Sequence, residues 1–594
     1  MKPGIVVRGK GHVTSAERAE YDEGMDVYFQ ECAWMDHDVN MKWVSKTLIP
    51  GIGNSSDEKV IFADNVGFQL NKEFHEACRK KANAVVYLLP ENHKVLPNGV
   101  AKQLAQLNPQ KACWPDELPS RVLKEIAQAA SEWLAFIFSQ SFYLNVAPSD
   151  WSKSCISAVF KKKNKSDPSN CRPISLTSIC CKVMEHIVLS HMAKHLSSDN
   201  ILIDEQHGFR QRFSCETQLI SAIHNWANVI NVESQPDVVL LDFSKAFDSV
   251  PHQRLLMKFD YYGIRGNMLK WIKAFLTNCS QSVSINGVQS STKRVLSGVP
   301  QGSILGPVLF LLYINDISSS VKSSLRLFAD DCILYREICE VQDCWALQDD
   351  LNQLSLWSKT WQLNFNVKKC YHLGVTCKKV PTEFQYVLNG QPISRVSSAQ
   401  YLGITVTDNL CWSEHINNIC KKANSTLGLL RCNLSGCDKK VKDLAYRSLV
   451  SPKLEYGCSA WNPYTKQSLD QIEMVQSRAA RFVCNDYSRF SHVTHMIEHL
   501  GWDSLEHRRL FFQTGMFYKI LNGHVANCFP PEVRPITRAT RLPNTRPFKQ
   551  INVSNNVYKF SFYPRTITIW NNLPITDDVN LNNFKSIVLA DIKL

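Results

Sequence analysis

At 594 residues the chain is too long for one hydrophobic core and predicts two to four domains. Hydrophobic residues at 44% and charged residues at 20% exclude a disordered or fibrous chain, and no apolar run reaches the ~18 residues of a membrane span, so a soluble protein without membrane contact is expected. Lysine and arginine outnumber aspartate and glutamate by 67 to 54, a net charge of +13 that suits a polyanionic partner, and the 21 cysteines hold no Cys-x-x-Cys pair and follow no secretory segment. The expectation is an intracellular, reduced protein of the nucleus or cytoplasm, with no zinc site.

Residues 1 to about 95 differ in character from the rest. Val60-Ile61-Phe62-Ala63-Asp64-Asn65 predicts a strand ending in Asp, Phe74 to Lys81 part of a helix, and Ala84 to Leu89 a second strand, together a βαβ unit. With Tyr28 to Asp36 and Trp43 upstream, this stretch resembles the DDE-superfamily endonuclease of pogo and Tigger-like transposases. The resemblance implies that Asp64 is the second acid of that family's triad. No strand supplies a first acid, and Pro90-Glu91-Asn92-His93-Lys94 lacks the family's third motif, so a truncated, inactive RNase H-like fragment with one vestigial acid is expected.

From about residue 98 the pattern changes. Lys111-Ala112-Cys113-Trp114-Pro115-Asp116 leads into a packing helix with Leu123, Ile126, Ala130, Leu134, Ile137 and Phe138 at helical spacing. Val159-Phe160-Lys161-Lys162-Lys163, then Arg172 on a Pro-bounded loop, predict a basic strand end suited to a triphosphate. Gln206-His207-Gly208-Phe209-Arg210 precedes a helix over about 216–230. Val238 to Asp242 is a buried-type strand ending on a carboxylate, with Phe247 five residues beyond.

Leu296 to Pro307 is a Gly/Pro turn opening an apolar helix through Ile314, and Gly298 and Gly302 are expected to let backbone approach a ligand. Leu325 to Tyr335 predicts a β-hairpin with Asp330 and Asp331 at its bend. Two neighbouring anions at the end of buried strands need solvent or a cation, so Asp242, Asp330 and Asp331 are read as meeting at strand ends around two divalent metals. A helix around 346–357 and the Val367-Lys368-Lys369 stretch follow.

Asp242 with Phe247, the Ser297 to Gly306 turn, Phe328-Ala329-Asp330-Asp331, and Tyr401-Leu402-Gly403-Ile404 with Trp412 and His415 resemble, in order and spacing, the reverse transcriptases of non-LTR (LINE-type) retrotransposons of the jockey and chicken-repeat class. One departure is Cys113-Trp114, where that family carries a Gly. The resemblance covers roughly residues 98 to 590 and implies an α+β fold, a right-hand palm and fingers with a helical thumb. It implies an RNA-directed DNA polymerase acting in target-primed cDNA synthesis, with two Mg²⁺ ions, dNTPs, an RNA template and a DNA primer. By motif position Asp242, Asp330, Asp331 and the Phe243 carbonyl are metal ligands. Lys161, Lys162 and Arg172 meet the triphosphate, Gln301 the nascent base pair and Phe247 the sugar, while Lys369 is a proton donor.

The domains expected are 1–95, the transposase-like fragment; 98–141, an N-terminal extension; 142–410, fingers and palm; 411–485, a thumb of three helices; and 486–594, a C-terminal tail. Lys421, Lys422, Arg431, Lys439, Lys440, Lys442, Arg478 and Arg481 decorate the thumb as a surface for nucleic-acid backbone. Two alternatives stand beside the polymerase: a catalytically dead relic that only binds nucleic acid, and a DDE transposase remnant.

Overall fold

The computed structural model describes residues 95–110, 116, 118–161, 164, 167–285, 287–526, 529–535 and 548–573, with four strands ahead of them. Those strands form two parallel pairs, Gly4–Arg8 with Asp26–Gln30 and Lys59–Asp64 with Ala84–Leu89, the last in the register Asp64 to Leu89. The strands of the expected βαβ unit are thus present; its helix over 74–81 lies outside the described residues, as do Lys162 and most of the 111–117 loop. The chain divides into two compact units: residues 1–195 with 259–296 and 302–305, and residues 196–258 with 297–301 and 306–594.

In the first unit, Lys153–Phe160 pairs antiparallel with Cys171–Leu176 and parallel with Ser280–Ile285. Arg172 therefore stands on a strand, not on a loop. Pro173 is tolerated because this strand is the sheet's edge, where a missing N–H breaks no ladder. The expected helix over 123–138 is two, Ser120–Glu125 and Ala127–Leu144, broken at Ile126 with ψ 19°. Leu123 and Phe138 are buried, whereas Ile126 and Ile137 face solvent.

The second unit is built on a sheet in the order Ser324–Phe328, Asp331–Ile338, Gln235–Leu241, Tyr371–Gly374, Ser394–Arg395. Gln235–Leu241 lies at its centre, antiparallel to both long neighbours and buried along nearly its whole length, as its continuous apolar run requires. The helix Cys215–Asn231 packs against this sheet. Ser214 caps it by accepting from Thr217 N (3.2 Å), and Thr217 Oγ1 accepts from Ser214 N (3.0 Å), a reciprocal capping box. Gly306–Ile314 is apolar all round, and every residue from Leu309 to Ile314 is buried, each worth about 1.5–3 kcal/mol if large and apolar.

Over residues 411–485 the expected three helices are five: Ser413–Asn433, Lys439–Leu449, Ser451–Glu455, Cys458–Trp461 and Lys466–Cys484. Pro452 starts one of the extra pieces, and Gly457, at φ 62° against Ile404, starts the other. One apolar core runs from Leu219 and Trp226 through Tyr335 and Trp461 to Phe517 and Trp570, so the helices after residue 486 share it with the sheet. No helix among the described residues is long and apolar enough to cross a membrane.

Three histidines of this unit are buried neutral. Burial pushes His224 down to about 4 and His415 down to about 4, and burial with the charges of Arg326 and Arg210 pushes His207 down to about 3. Between those values and the ordinary ~6.5 the unfolded chain binds more protons than the folded one, so stability falls as pH drops below about 6.5. Urea unfolding followed by tryptophan fluorescence at pH 7 and pH 4.5 is expected to show a lower midpoint in acid. His224→Phe, which keeps the ring packed between Tyr558 and Tyr563, is expected to recover part of the loss, up to about 3 kcal/mol.

Candidate active site

Asp242 follows the last residue of the central strand, and Asp331 opens the neighbouring one. The ladder ends with Cys332 opposite Leu241, so one step further Asp331 stands beside Asp242 on adjoining antiparallel strand ends. The hairpin Ser324–Phe328 and Asp331–Ile338 closes through Ala329 and Asp330, with Phe328 paired to Asp331 and Ala329 in the left-handed region at φ 54°. The tight turn keeps Asp330 next to this pair. Asp242 and Asp330 are half-buried and Asp331 is exposed.

The cation against Asp242 is a side chain of the same unit: Lys369 Nζ lies 3.0 Å from Asp242 Oδ2. Among the described residues no three His, Cys, Asp or Glu groups converge tightly enough to hold an ion, so the three aspartates do not form a closed ligand shell in this conformation. Their chemistry nonetheless fits Mg²⁺: all donors are hard oxygens, and the lysine ammonium already marks where positive charge is accepted. Behind the carboxylates the backbone is fixed. Asn366 N donates to Asp242 O (2.7 Å), Ser244 N to Asn364 O (2.8 Å), and Phe243 stacks on Phe365 with ring centres 4.6 Å apart.

Phe247 is half-buried and stacked on Phe310, ring centres 4.5 Å apart and 19° from parallel, which fixes the ring five residues beyond Asp242. Gln301 Nε2 donates to Asp248 Oδ1 (2.9 Å), so its amide is held by protein in this conformation. Gly298 and Gly302 of the 296–307 turn each lie close against neighbouring backbone. A Cβ on Gly298 (φ 92°) would lie 2.7 Å from Asp248 O, and one on Gly302 (φ 118°) 2.6 Å from Ser175 O.

In the first unit Lys161 and Arg172 are brought together on one hairpin: Val159 pairs with Arg172, Lys161 N donates to Asn170 O (2.8 Å), and both side chains are exposed. Sequence reasoning missed Glu185. Its fully buried carboxylate accepts from Ile304 N (2.7 Å) and Leu305 N (3.0 Å), and burial raises its pKa although these bonds oppose the rise.

The basic residues beyond residue 411 separate by environment. Lys421, Lys422, Lys439, Lys440 and Arg478 are exposed, and Arg478 also donates to Asn424 Oδ1 (3.1 Å). Arg431 and Arg481 are half-buried and donate to Arg478 O (3.1 Å) and Ser488 O (2.9 Å), while Lys442 is buried against Phe482. Tyr401 to Ile404 is a two-residue hairpin with Leu402 and Gly403 both at positive φ, and His415 accepts from Thr405 N (3.2 Å), so this motif is structural.

Residues 160–406, the stretch that contains all of these carboxylates, match the family model described as reverse transcriptase (RNA-dependent DNA polymerase). The chain is 27% identical over 403 residues to a probable RNA-directed DNA polymerase from transposon X-element of Drosophila melanogaster, covering 65% of this chain and 44% of that protein. It is 27% identical over 404 residues to the RNA-directed DNA polymerase from mobile element jockey of the same species, covering 64% and 43%. Against a putative 115 kDa protein of the type-1 retrotransposable element R1DM the identity is 25% over 389 residues, covering 63% and 36%. The chain thus spans less than half the length of these curated relatives.

The glycine turn gives a direct check. Gly302→Ala combines a positive φ with a backbone clash and is expected to cost more than about 1 kcal/mol of stability. Gly99→Ala, on a helix with open space around it, is expected to leave stability unchanged or slightly raised. Thermal unfolding of the two variants makes the comparison.

Proposed function

We propose that the chain is an RNA-directed DNA polymerase of the non-LTR retrotransposon kind, extending a DNA primer on an RNA template with dNTPs. The observation that carries this reading is the placement of Asp242 beside Asp331, with Asp330 on the adjoining turn, inside the segment that matches reverse transcriptases. In this reading residues 142–410 are fingers and palm, 98–141 their N-terminal extension, 411–485 the thumb and 486–594 a tail of the same element.

Asp242, Asp330 and Asp331, with the Phe243 carbonyl, are the residues that would hold two Mg²⁺ ions. When bound, such ions lower the pKa of the primer 3′-hydroxyl and neutralise the triphosphate. The side chains do the rest. Lys161, Lys162 and Arg172 orient the β- and γ-phosphates, Gln301 lies along the nascent base pair, and Phe247 fills the space a ribose 2′-hydroxyl would need. Lys369, 3.0 Å from Asp242 Oδ2, is placed to give a proton to the departing pyrophosphate. The exposed Lys421, Lys422, Lys439, Lys440 and Arg478, with Arg431 and Arg481 beside them, neutralise the backbone of the primer-template.

For residues 1–95 we retain the reading as a partial transposase-like endonuclease whose vestigial acid is Asp64. Its support is the parallel pairing of Lys59–Asp64 with Ala84–Leu89, which ends on that residue.

Asp330→Asn removes one of the three negative charges of the set without changing shape, and is expected to lower RNA-templated extension by about 100-fold or more while leaving thermal unfolding in place. Undiminished extension would remove the metal assignment. Phe247→Ala is expected to lower dNTP-over-rNTP selectivity at least about tenfold, read from single-nucleotide incorporation. Selectivity equal to that of the unaltered chain would leave Phe247 as a packing residue on Phe310.

A further inference from the structure

The turn that carries Asp330 has a strained residue at its base, since Ala329 adopts φ 54° without being glycine. Something must hold it there. The segment 205–208 runs beside the hairpin and adds a short parallel bridge to its outer strand: His207 N donates to Leu327 O (2.9 Å) and Leu327 N to Glu205 O (2.9 Å). From this bridge Gln206, 1% exposed, turns its carboxamide onto Ala329. Its Oε1 accepts from Ala329 N (2.9 Å) and from Gly208 N (2.7 Å), and its Nε2 donates to Ala329 O (3.4 Å).

Gly208 completes the contact. A Cβ there would lie 2.3 Å from Ala329 N and 3.0 Å from Phe328 C, so only glycine lets the two backbones approach this closely. The segment is itself rigid: Arg210 Nη1 donates to Ile203 O (2.5 Å) and Gln206 O (3.1 Å), and its guanidinium lies 4.3 Å from the Phe213 ring centre. His207 Nδ1 bonds Thr217 Oγ1 (3.0 Å), which ties the segment to the first turn of the helix Cys215–Asn231.

We propose that Gln206 is a positioning residue for the Asp330–Asp331 turn. Its amide saturates both backbone groups of Ala329, so the left-handed conformation is held and the two carboxylates keep one orientation at the strand ends. The inference rests on the polymerase reading for its consequence in activity, but the clamp is measurable without activity. Gln206 touches no reacting atom, so its loss is expected to appear in turnover and in the metal requirement, not in the affinity for primer-template.

The test uses the full chain with Gln206→Met, which keeps the volume and removes both hydrogen-bonding functions, and Gln206→Glu, which keeps the acceptor. Hydrogen exchange of peptides covering residues 324–332 is expected to speed up in the Met variant and to be partly restored in the Glu variant. RNA-templated extension by the Met variant is expected to fall about 10- to 100-fold, with a higher Mg²⁺ concentration at half-maximal rate and an unchanged KM for primer-template. The Glu variant is expected to fall between. Exchange and Mg²⁺ dependence equal to the unaltered protein would overturn the proposal, as would a loss confined to thermal stability. If the unaltered chain extends no primer, the polymerase reading fails while the exchange measurement still decides the clamp.

Discussion

A carboxylate at the end of a buried strand has water on one side only, and a second beside it raises the cost of keeping both ionised. Asp242 and Asp331 are placed in that position by the ladder that ends at Leu241 and Cys332. Much of the second unit serves this constraint. The central strand is buried and paired on both sides, the hairpin beside it is closed by a strained residue, and Lys369 pairs with Asp242 in this conformation. A protein that needed only a stable fold would gain nothing from massed negative charge there. The arrangement has a purpose if a divalent cation and a polyanionic substrate complete it.

Around that point the molecule supplies rigidity from several sources. Phe243 and Phe247 are each stacked on a second ring, so the chain leaving Asp242 has little freedom. Gly298 is pressed against the Asp248 backbone, and Gln301 bonds the Asp248 side chain, which ties the glycine turn to the same segment. Lys258, itself buried, donates to Asp316 Oδ1 (2.6 Å) and lies among Tyr313, Trp357 and Trp361, joining three helices through one ammonium. Burial pushes that lysine down to about 8, against the pull of Asp316.

The parts of this design that sequence reveals are those carried by local pattern. A run such as Val238 to Leu241 ending on Asp242, or two apolar stretches flanking Asp330 and Asp331, announces strands and their ends because side-chain alternation and burial are written within a few residues. Long-range contacts are not written that way. Glu185 reaches Ile304 and Leu305 across more than a hundred residues, and Gln206 reaches Ala329 across a similar distance, so the stretch 206–210 carries a weak local signal. Arg172 was expected on a loop because Pro173 reads as a breaker; only the sheet order shows that the proline sits on an edge. The basic residues beyond residue 411 illustrate the same limit, since sequence cannot tell the exposed Lys439 from the buried Lys442 three positions away.

If the carboxylates at these strand ends build DNA on RNA, the chain must extend a primer. The most direct measurement is primer extension by the purified full chain on an RNA template carrying a DNA primer, with dNTPs and Mg²⁺, alongside the same reaction with the metal chelated. Template-dependent addition of deoxynucleotides that stops on chelation is expected. No extension with either Mg²⁺ or Mn²⁺ by a protein that is folded and binds the primer-template would contradict that role.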